Sequence, residues 1–233
     1  MTEQDLAATS ADAFAHLAIE LHDAPGVEET IDAVVQFALQ ALSCTYAGVA
    51  LYARGSQPEV AAVTDPVVAD VYTLQINNQN GPLVTALRDR TPILIRDTLT
   101  DDRWPEWAEK VAGLGVRSVL DVPLATGNET RATVGVLGLY SDRPDAFSQD
   151  DEAIAHILAR HASVAVASAR HEETMAQAVD ARKLVGQAMG ILMERFDVDG
   201  DRAFAILKRY SQDTNTKLRD VAQQLIDTRK LPH

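Results

Sequence analysis

Cysteine is nearly absent from this chain: Cys44 is the only one in 233 residues. No internal disulfide can form, and no second cysteine makes a CxxC zinc site with it. A reducing compartment fits that usage, so the expected location is cytoplasmic. Long apolar runs are missing too. Gly, Arg, Asp or Ser interrupts each one before the roughly 20 residues a membrane span needs, and no membrane is expected. The N-terminal stretch carries acids, Asp12 and Glu20 among them, where a secretory signal carries bases. It does not read as a targeting segment.

Positive charge is scarce as well. Lys and Arg number 21 against 34 Asp and Glu, a net charge of −13. The deficit is local: 24 acids face 11 bases up to Arg170, whereas the rest of the chain holds ten of each. Between Arg182 and Lys230 bases outnumber acids by ten to seven. A broad basic glove for duplex DNA is therefore excluded, but a small nucleic-acid contact near the C-terminus is not. The 46% hydrophobic and 24% charged residues are those of a folded protein, and the length suits either one large domain or a medium domain plus a small one.

What is present falls into two halves. Stretches 11–22 and 27–42 read as helices, the second through Val27, Ile31, Val34, Val35, Ala38, Leu39 and Leu42 at three- and four-residue spacing. Strand-like segments 46–52 and 59–63 follow, divided by the hairpin signal Arg54 to Pro58. Next come a helical piece around 67–75, a helix opened by Pro82, and a strand at 91–95. Asp101 to Pro105 is read as capping a helix that runs to about Gly113. Strands 118–124 and 132–140 are joined by a turn at 126–129, which makes that pair antiparallel. Strands separated by helices but joined partly by hairpins argue for one mixed sheet.

A long helix starts near Ser148. It meets no Gly or Pro from Ile154 until Gly186, and Ile154, Leu158, His161, Ala165, Ser168, Met175 and Val179 keep a rough heptad spacing. The expectation is a linker helix that pairs with a second copy, giving a homodimer through residues 150–185. Three short helices close the chain, at about 180–196, at about 201–211 and after Asn215-Thr216. Asp199 is read as capping the second and Asn215-Thr216 the third. Ala203, Phe204, Leu207 and Tyr210 are read as facing inward.

Few residues invite catalysis. There is no GxGxxG or Walker loop. Asp197, Asp199 and Asp201 fail as a calcium loop, because the positions that need Gly and Glu hold Arg202 and Lys208. His156 and His161 are five apart, about 140° around a helix, and cannot share a metal within it. Cys44, followed by Thr45, reads as a packed small hydrophobe. Trp104 and Trp107 either fill a core or roof a ligand cavity. Asp121, inside an apolar strand, is either a pocket acid or a strand-end hydrogen-bonding group. In the last segment Lys183, Gln187, Ser211, Asn215, Lys217 and Arg219 are left over once the core faces are assigned. Such side chains read base edges and hold phosphates in unpaired RNA loops, though a plain dimerisation bundle accommodates them too.

Residues 182–226 strongly resemble the ANTAR family. The match rests on Gly186-Gln187-Ala188, Gly190-Ile191-Leu192-Met193, Ala203-Phe204, Leu207, Ser211, Asn215, Lys217-Leu218, Val221 and Ala222. Met189 stands where many members have Lys. Residues 11–170 look like a GAF domain, through Asn80-Gly81-Pro82, Gly115-Val116-Arg117-Ser118, Val122-Pro123-Leu124 and Gly135-Val136-Leu137-Gly138-Leu139.

The resemblance implies an α+β chain: a GAF-like antiparallel sheet with flanking helices, a signalling or coiled-coil helix, then an all-α three-helix ANTAR bundle. The expected domains are 1–170, with the linker helix from about 149, and 171–233. It implies a signal-responsive RNA-binding regulator that promotes transcription antitermination on tandem stem-loops. Lys183, Gln187, Ser211, Asn215, Lys217 and Arg219 would contact RNA, and Trp104, Trp107 and Asp121 would line a pocket for an unidentified small molecule. No catalytic residue, metal or cofactor is assigned. The alternative is a ligand-sensing dimer that acts through protein partners.

Overall fold

The computed structural model describes residues 24–52, 57–125 and 133–230, with Ile19 and Leu21. The expected helix 11–22, the loop after Tyr52 and the turn 126–129 lie almost wholly outside the described residues.

Glycine and proline punctuate the first half. Helix α1 (Val27–Ala41) starts after Gly26 and buries Ile31, Val34, Val35 and Ala38, the stripe its spacing predicts. Strands β1 (Tyr46–Tyr52) and β2 (Pro58–Val63) follow. Helices α2 (Pro66–Asn78) and α3 (Pro82–Asp89) each open on a proline, whose fixed φ suits the first turn. After β3 (Ile93–Ile95), α4 (Pro105–Gly113) does the same. The expected cap of α4 is absent: Trp104 precedes the helix and makes no side-chain capping bond, while Asp101 instead accepts from the Arg103 N–H. Strands β4 (Ser118–Ala125) and β5 (Thr133–Ser141) complete the sheet.

The sheet order is β2-β1-β5-β4-β3. All four pairings are antiparallel, so the mixed sheet argued from element order is corrected. Helical connections suggest parallel neighbours only when they join adjacent strands. Here α2 and α3 carry the chain from one edge strand, β2, to the other, β3. Alternation then builds two cores. Leu120, Val122, Leu137 and Leu139 pack against α1 and the first turns of the long helix that follows β5. Val119, Val136 and Tyr140 face α2, α3 and α4.

A buried glutamine ties α2 to α3. Gln75 Oε1 accepts from the Leu83 N–H at 2.8 Å and its Nε2 donates to the Val71 carbonyl at 3.3 Å. Gly81, at φ 140°, leaves no room for a side chain: a Cβ there would lie 2.6 Å from Gln75 Cγ. Gln75→Leu leaves the Leu83 N–H buried and unpaired, an expected loss of about 2 kcal/mol in urea unfolding.

Helix α5 (Gln149–Phe196) is continuous over 48 residues. Ser148 and Asp151 form a reciprocal capping box, with Ser148 Oγ donating to Asp151 Oδ2 at 2.6 Å and the Asp151 N–H returning to Ser148 Oγ at 3.2 Å. Asp151 Oδ1 also accepts from the Ser43 N–H at 3.0 Å, fastening the start of α5 to the end of α1. The separate helix expected over 180–196 is thus the last part of α5, because Gly186 and Gly190 do not interrupt it. The expected heptad stripe is also redistributed: Ile154, Leu158 and Ala165 pack on the sheet side, while Ile157, Val164, Met175 and Val179 are exposed, as are Met193 and Phe196 near the end of the helix.

The chain divides into two compact units, one ending at Arg170 and the other starting at His171. In the second, the end of α5, α6 (Gly200–Asp213) and α7 (Leu218–Thr228) enclose Ala188, Leu192, Ala203, Leu207, Val221, Ala222 and Leu225. Asp199 caps α6, accepting from the Arg202 N–H at 2.8 Å. Phe204 is 41% exposed rather than inward: it sits one position beyond buried Ala203, about 100° around the helix. Asn215-Thr216 does not cap α7, whose N-cap is Lys217 without a side-chain bond.

Candidate functional site

In the first unit, strand register brings an acid into an aromatic interior. Asp121 pairs with Ile93 on one side and Gly138 on the other, and is fully buried. Tyr140 Oη donates to Asp121 Oδ1 at 3.4 Å, while Oδ2 has no partner. Tyr72, from α2, meets Tyr140 edge to face with ring centroids 6.0 Å apart. Gly138 makes this assembly fit, since a Cβ there would lie 2.6 Å from Tyr72 Oη and 2.9 Å from Asp121 Oδ1. Burial pushes the Asp121 carboxyl up to about 7, against the opposing effect of the Tyr140 hydrogen bond. Burial, and then the charge of Asp121, push Tyr72 and Tyr140 above the usual phenol range.

The two tryptophans differ in role. Trp107 is buried in the same cluster as Tyr72 and Tyr140, with its indole Nε1 unpartnered. Trp104 is partly buried beneath the Arg103 guanidinium, 4.8 Å from the ring centroid. Asp121, expected as a pocket acid or a strand-end hydrogen-bonding group, accepts its one side-chain hydrogen bond among the described residues from Tyr140, next to the end of β5. The sequence does not single out Tyr72 and Tyr140 as site residues, and Gly138 stands out in it only as part of a strand motif, although the register sets it opposite Asp121. Cys44 is half-buried; burial, its largest influence, pushes the thiol up to about 11, which disfavours a thiolate.

In the second unit the six predicted polar residues fall into two groups. Lys183 and Gln187 are exposed on α5, one turn apart and facing away from Ala188 and Leu192. Ser211, Asn215, Lys217 and Arg219 gather where α6 turns into α7. Two of these do structural work: Ser211, left over once the core faces are assigned, and Asn215, expected to cap α7, which instead closes α6. Asn215 adopts φ 51°, and its N–H and that of Thr216 reach back to the carbonyls of Gln212 and Ser211, closing α6. Ser211 Oγ donates to the Thr216 carbonyl at 2.7 Å.

Arg219 pairs with Asp220 at 3.0 Å on the surface, whereas Lys217 is exposed. Lys208, which the sequence reading did not assign, is exposed one turn before Ser211. The Met189 methyl lies 3.7 Å from the Cβ position of Gly200, so this side chain packs on the first turn of α6. Asn215→Ala should cost about 1 kcal/mol of thermal stability and Asn215→Gly almost nothing, because only the former penalises the left-handed backbone.

A family model for the GAF domain matches residues 26–166, more than half of the chain. The chain belongs to the GAF domain family. A second model, the ANTAR domain, matches residues 173–226. GAF domains are small-molecule-sensing modules and ANTAR domains RNA-binding antitermination modules; both are regulatory types. No curated protein matches this GAF–ANTAR chain.

Solved structures resemble its fold. A domain of a putative two-component sensor histidine kinase from Sinorhizobium meliloti is 20% identical, with TM-score 0.53, covering 64% of this chain and 96% of its own. The GAF domain of an Acinetobacter phosphoenolpyruvate-protein phosphotransferase is 16% identical, with TM-score 0.55, covering 75% and 99%. Free methionine-R-sulfoxide reductase from Neisseria meningitidis is 14% identical, with TM-score 0.55, covering 74% and 95%. At these identities the likeness concerns the fold alone. Among the described residues no helix is long and apolar enough to cross a membrane, and no group of three or more His, Cys, Asp or Glu is placed to hold a metal ion.

Proposed function

We propose that this chain is a cytoplasmic, signal-responsive RNA-binding regulator that promotes transcription antitermination by binding hairpin loops in nascent RNA. The observation that carries this reading is the ANTAR match over residues 173–226. The exposed Lys183, Gln187, Lys217 and Arg219 of that module support it. Lys183, Lys217 and Arg219 hold phosphates, while Gln187, Ser211 and Asn215 contact base edges. The last two do so from a turn whose backbone they also fix.

The GAF half binds a small molecule at Trp107 and Asp121, with Trp104 at its margin, and does not turn it over. Neither the high-pKa Cys44 thiol nor the solitary Asp121 is paired with a base. The chain acts as a homodimer through the exposed stripe Ile157, Val164, Met175 and Val179 of α5, and ligand acts by biasing how the two copies of α5 pair.

Filter binding with a loop-bearing hairpin and its fully paired counterpart tests the RNA reading. The hairpin should bind and the paired RNA should not, because an A-form helix hides its major-groove edges. Equal affinity for both, or none for either, points instead to a protein partner.

A further inference from the structure

Helix α6 carries an aromatic ring that its own bundle does not use. Ala203 and Leu207 fill the core of the second unit, whereas Phe204 is 41% exposed and stands outside that cluster. Lys208 follows one turn later on the same face, also exposed. Its neighbour Arg209 is paired with Asp213 at 3.5 Å and Arg219 with Asp220 at 3.0 Å, but no ion pair holds Lys208 among the described residues. Asp201, the acid of the first turn, lies on the far side of Phe204 from Lys208 along the helix.

Lone exposed apolar side chains are commonplace on folded surfaces, and charge separates this one from the others on the bundle. Met193 and Phe196 are exposed too, but each is followed directly by an acid, Glu194 and Asp197. Phosphate is repelled there and attracted beside Phe204. An apolar protein surface docked on the ring would desolvate Lys208 without giving it a partner. One nucleotide of unpaired RNA satisfies both groups, with a flat base for the ring and a phosphate for the ammonium.

We propose that Phe204 is the stacking surface for one unpaired base of the bound RNA loop, and that Lys208 holds the phosphate of that nucleotide. This rests on the reading that the second unit binds RNA, and it names a contact that makes the loop rather than the stem the recognised part. In a paired stem the bases stack on one another and offer no free face. Every base has such a face, so Phe204 confers a preference for unpaired nucleotides rather than for one sequence.

The test starts from hairpins selected for binding to the full wild-type chain, out of a pool with one paired stem and a randomised loop. Phe204→Leu keeps an apolar side chain but loses the ring face. It should weaken the selected hairpins roughly tenfold while melting as the wild type does, and Phe204→Trp should bind at least as tightly as wild type. The loss in Phe204→Leu should leave the salt dependence unchanged, whereas Lys208→Ala should flatten it by about one counterion. When loop nucleotides are made abasic one at a time, Phe204→Leu should cause no further loss at one position. Equal hairpin affinity in wild type and Phe204→Leu overturns the proposal and leaves the RNA reading standing. A loss that is the same with every abasic loop also overturns it, since no base then sits on the ring. Weaker self-association of Phe204→Leu in light scattering, with hairpin affinity unchanged, would make this face a contact between copies. If no hairpin can be selected, the RNA reading and the stacking contact fall together.

Discussion

Asp121→Asn should make the protein more stable at pH 8 and leave its stability near pH 4 almost unchanged. In the fold the carboxyl titrates at about 7 rather than 3.8. Between those values the unfolded chain has released the proton that the folded chain still holds, so stability falls as pH rises through this window. Below it both states are protonated and the burial of Asp121 carries no charge penalty. Above about 7 the folded chain holds an uncompensated buried carboxylate. A displacement of roughly 3 units corresponds to about 4 kcal/mol at most, which Asn recovers while keeping an acceptor for Tyr140. Urea melts from pH 4 to pH 8 measure it. Wild type should lose stability across that range relative to the variant, and parallel profiles would show that Asp121 is solvated in the fold.

Two loop-bearing hairpins on one RNA should bind on the order of 100-fold more tightly than either alone, because the second contact becomes intramolecular once the first is made. The C-terminal bases are few and the first unit is acidic, so a single hairpin is expected to bind weakly. The gain depends on two ANTAR modules being held together. Val164 and Met175, 66% and 55% exposed on α5, are the positions at which to break that association. Val164→Glu with Met175→Glu should remove the tandem advantage and leave the single-hairpin affinity unchanged. A tandem advantage that survives in this variant, with light scattering reporting a monomer, would place both hairpins on one chain.

Helices with one apolar face were legible in the residues. The stripe of α1 and the inward Ala203 and Leu207 of α6 occupy core positions as the sequence implies. Long-range pairing was not legible. Nothing local in Glu59–Val63 or Ile93–Ile95 says that they form opposite edges of one sheet. Nor does the weak heptad of α5 reveal that Leu158 belongs to the sheet core whereas Val164 faces outward.

The candidate ligand site was half legible. Asp121 and Trp107 stand out as an acid in an apolar strand and an aromatic on a short helix. Tyr72 and Tyr140 are ordinary core aromatics until the register places their hydroxyls beside Gly138. On the RNA side, residue type identified the polar set, but only the backbone reveals that Asn215 occupies a left-handed position and that Ser211 closes the same turn. A loss of RNA binding on replacing either residue must therefore be read beside its melting curve.

Single-round transcription through a terminator tests the proposed activity most directly. The template should encode tandem loop-bearing hairpins upstream, with the purified full chain added in increasing amounts. Read-through should rise with protein on this template, and fall back when the loop bases are replaced with the stems kept intact. Lys217→Ala should shift the response to higher protein concentration, and more so at higher salt. Termination that is unaffected by protein, or read-through that rises equally with the loops replaced, would contradict an RNA-loop antiterminator.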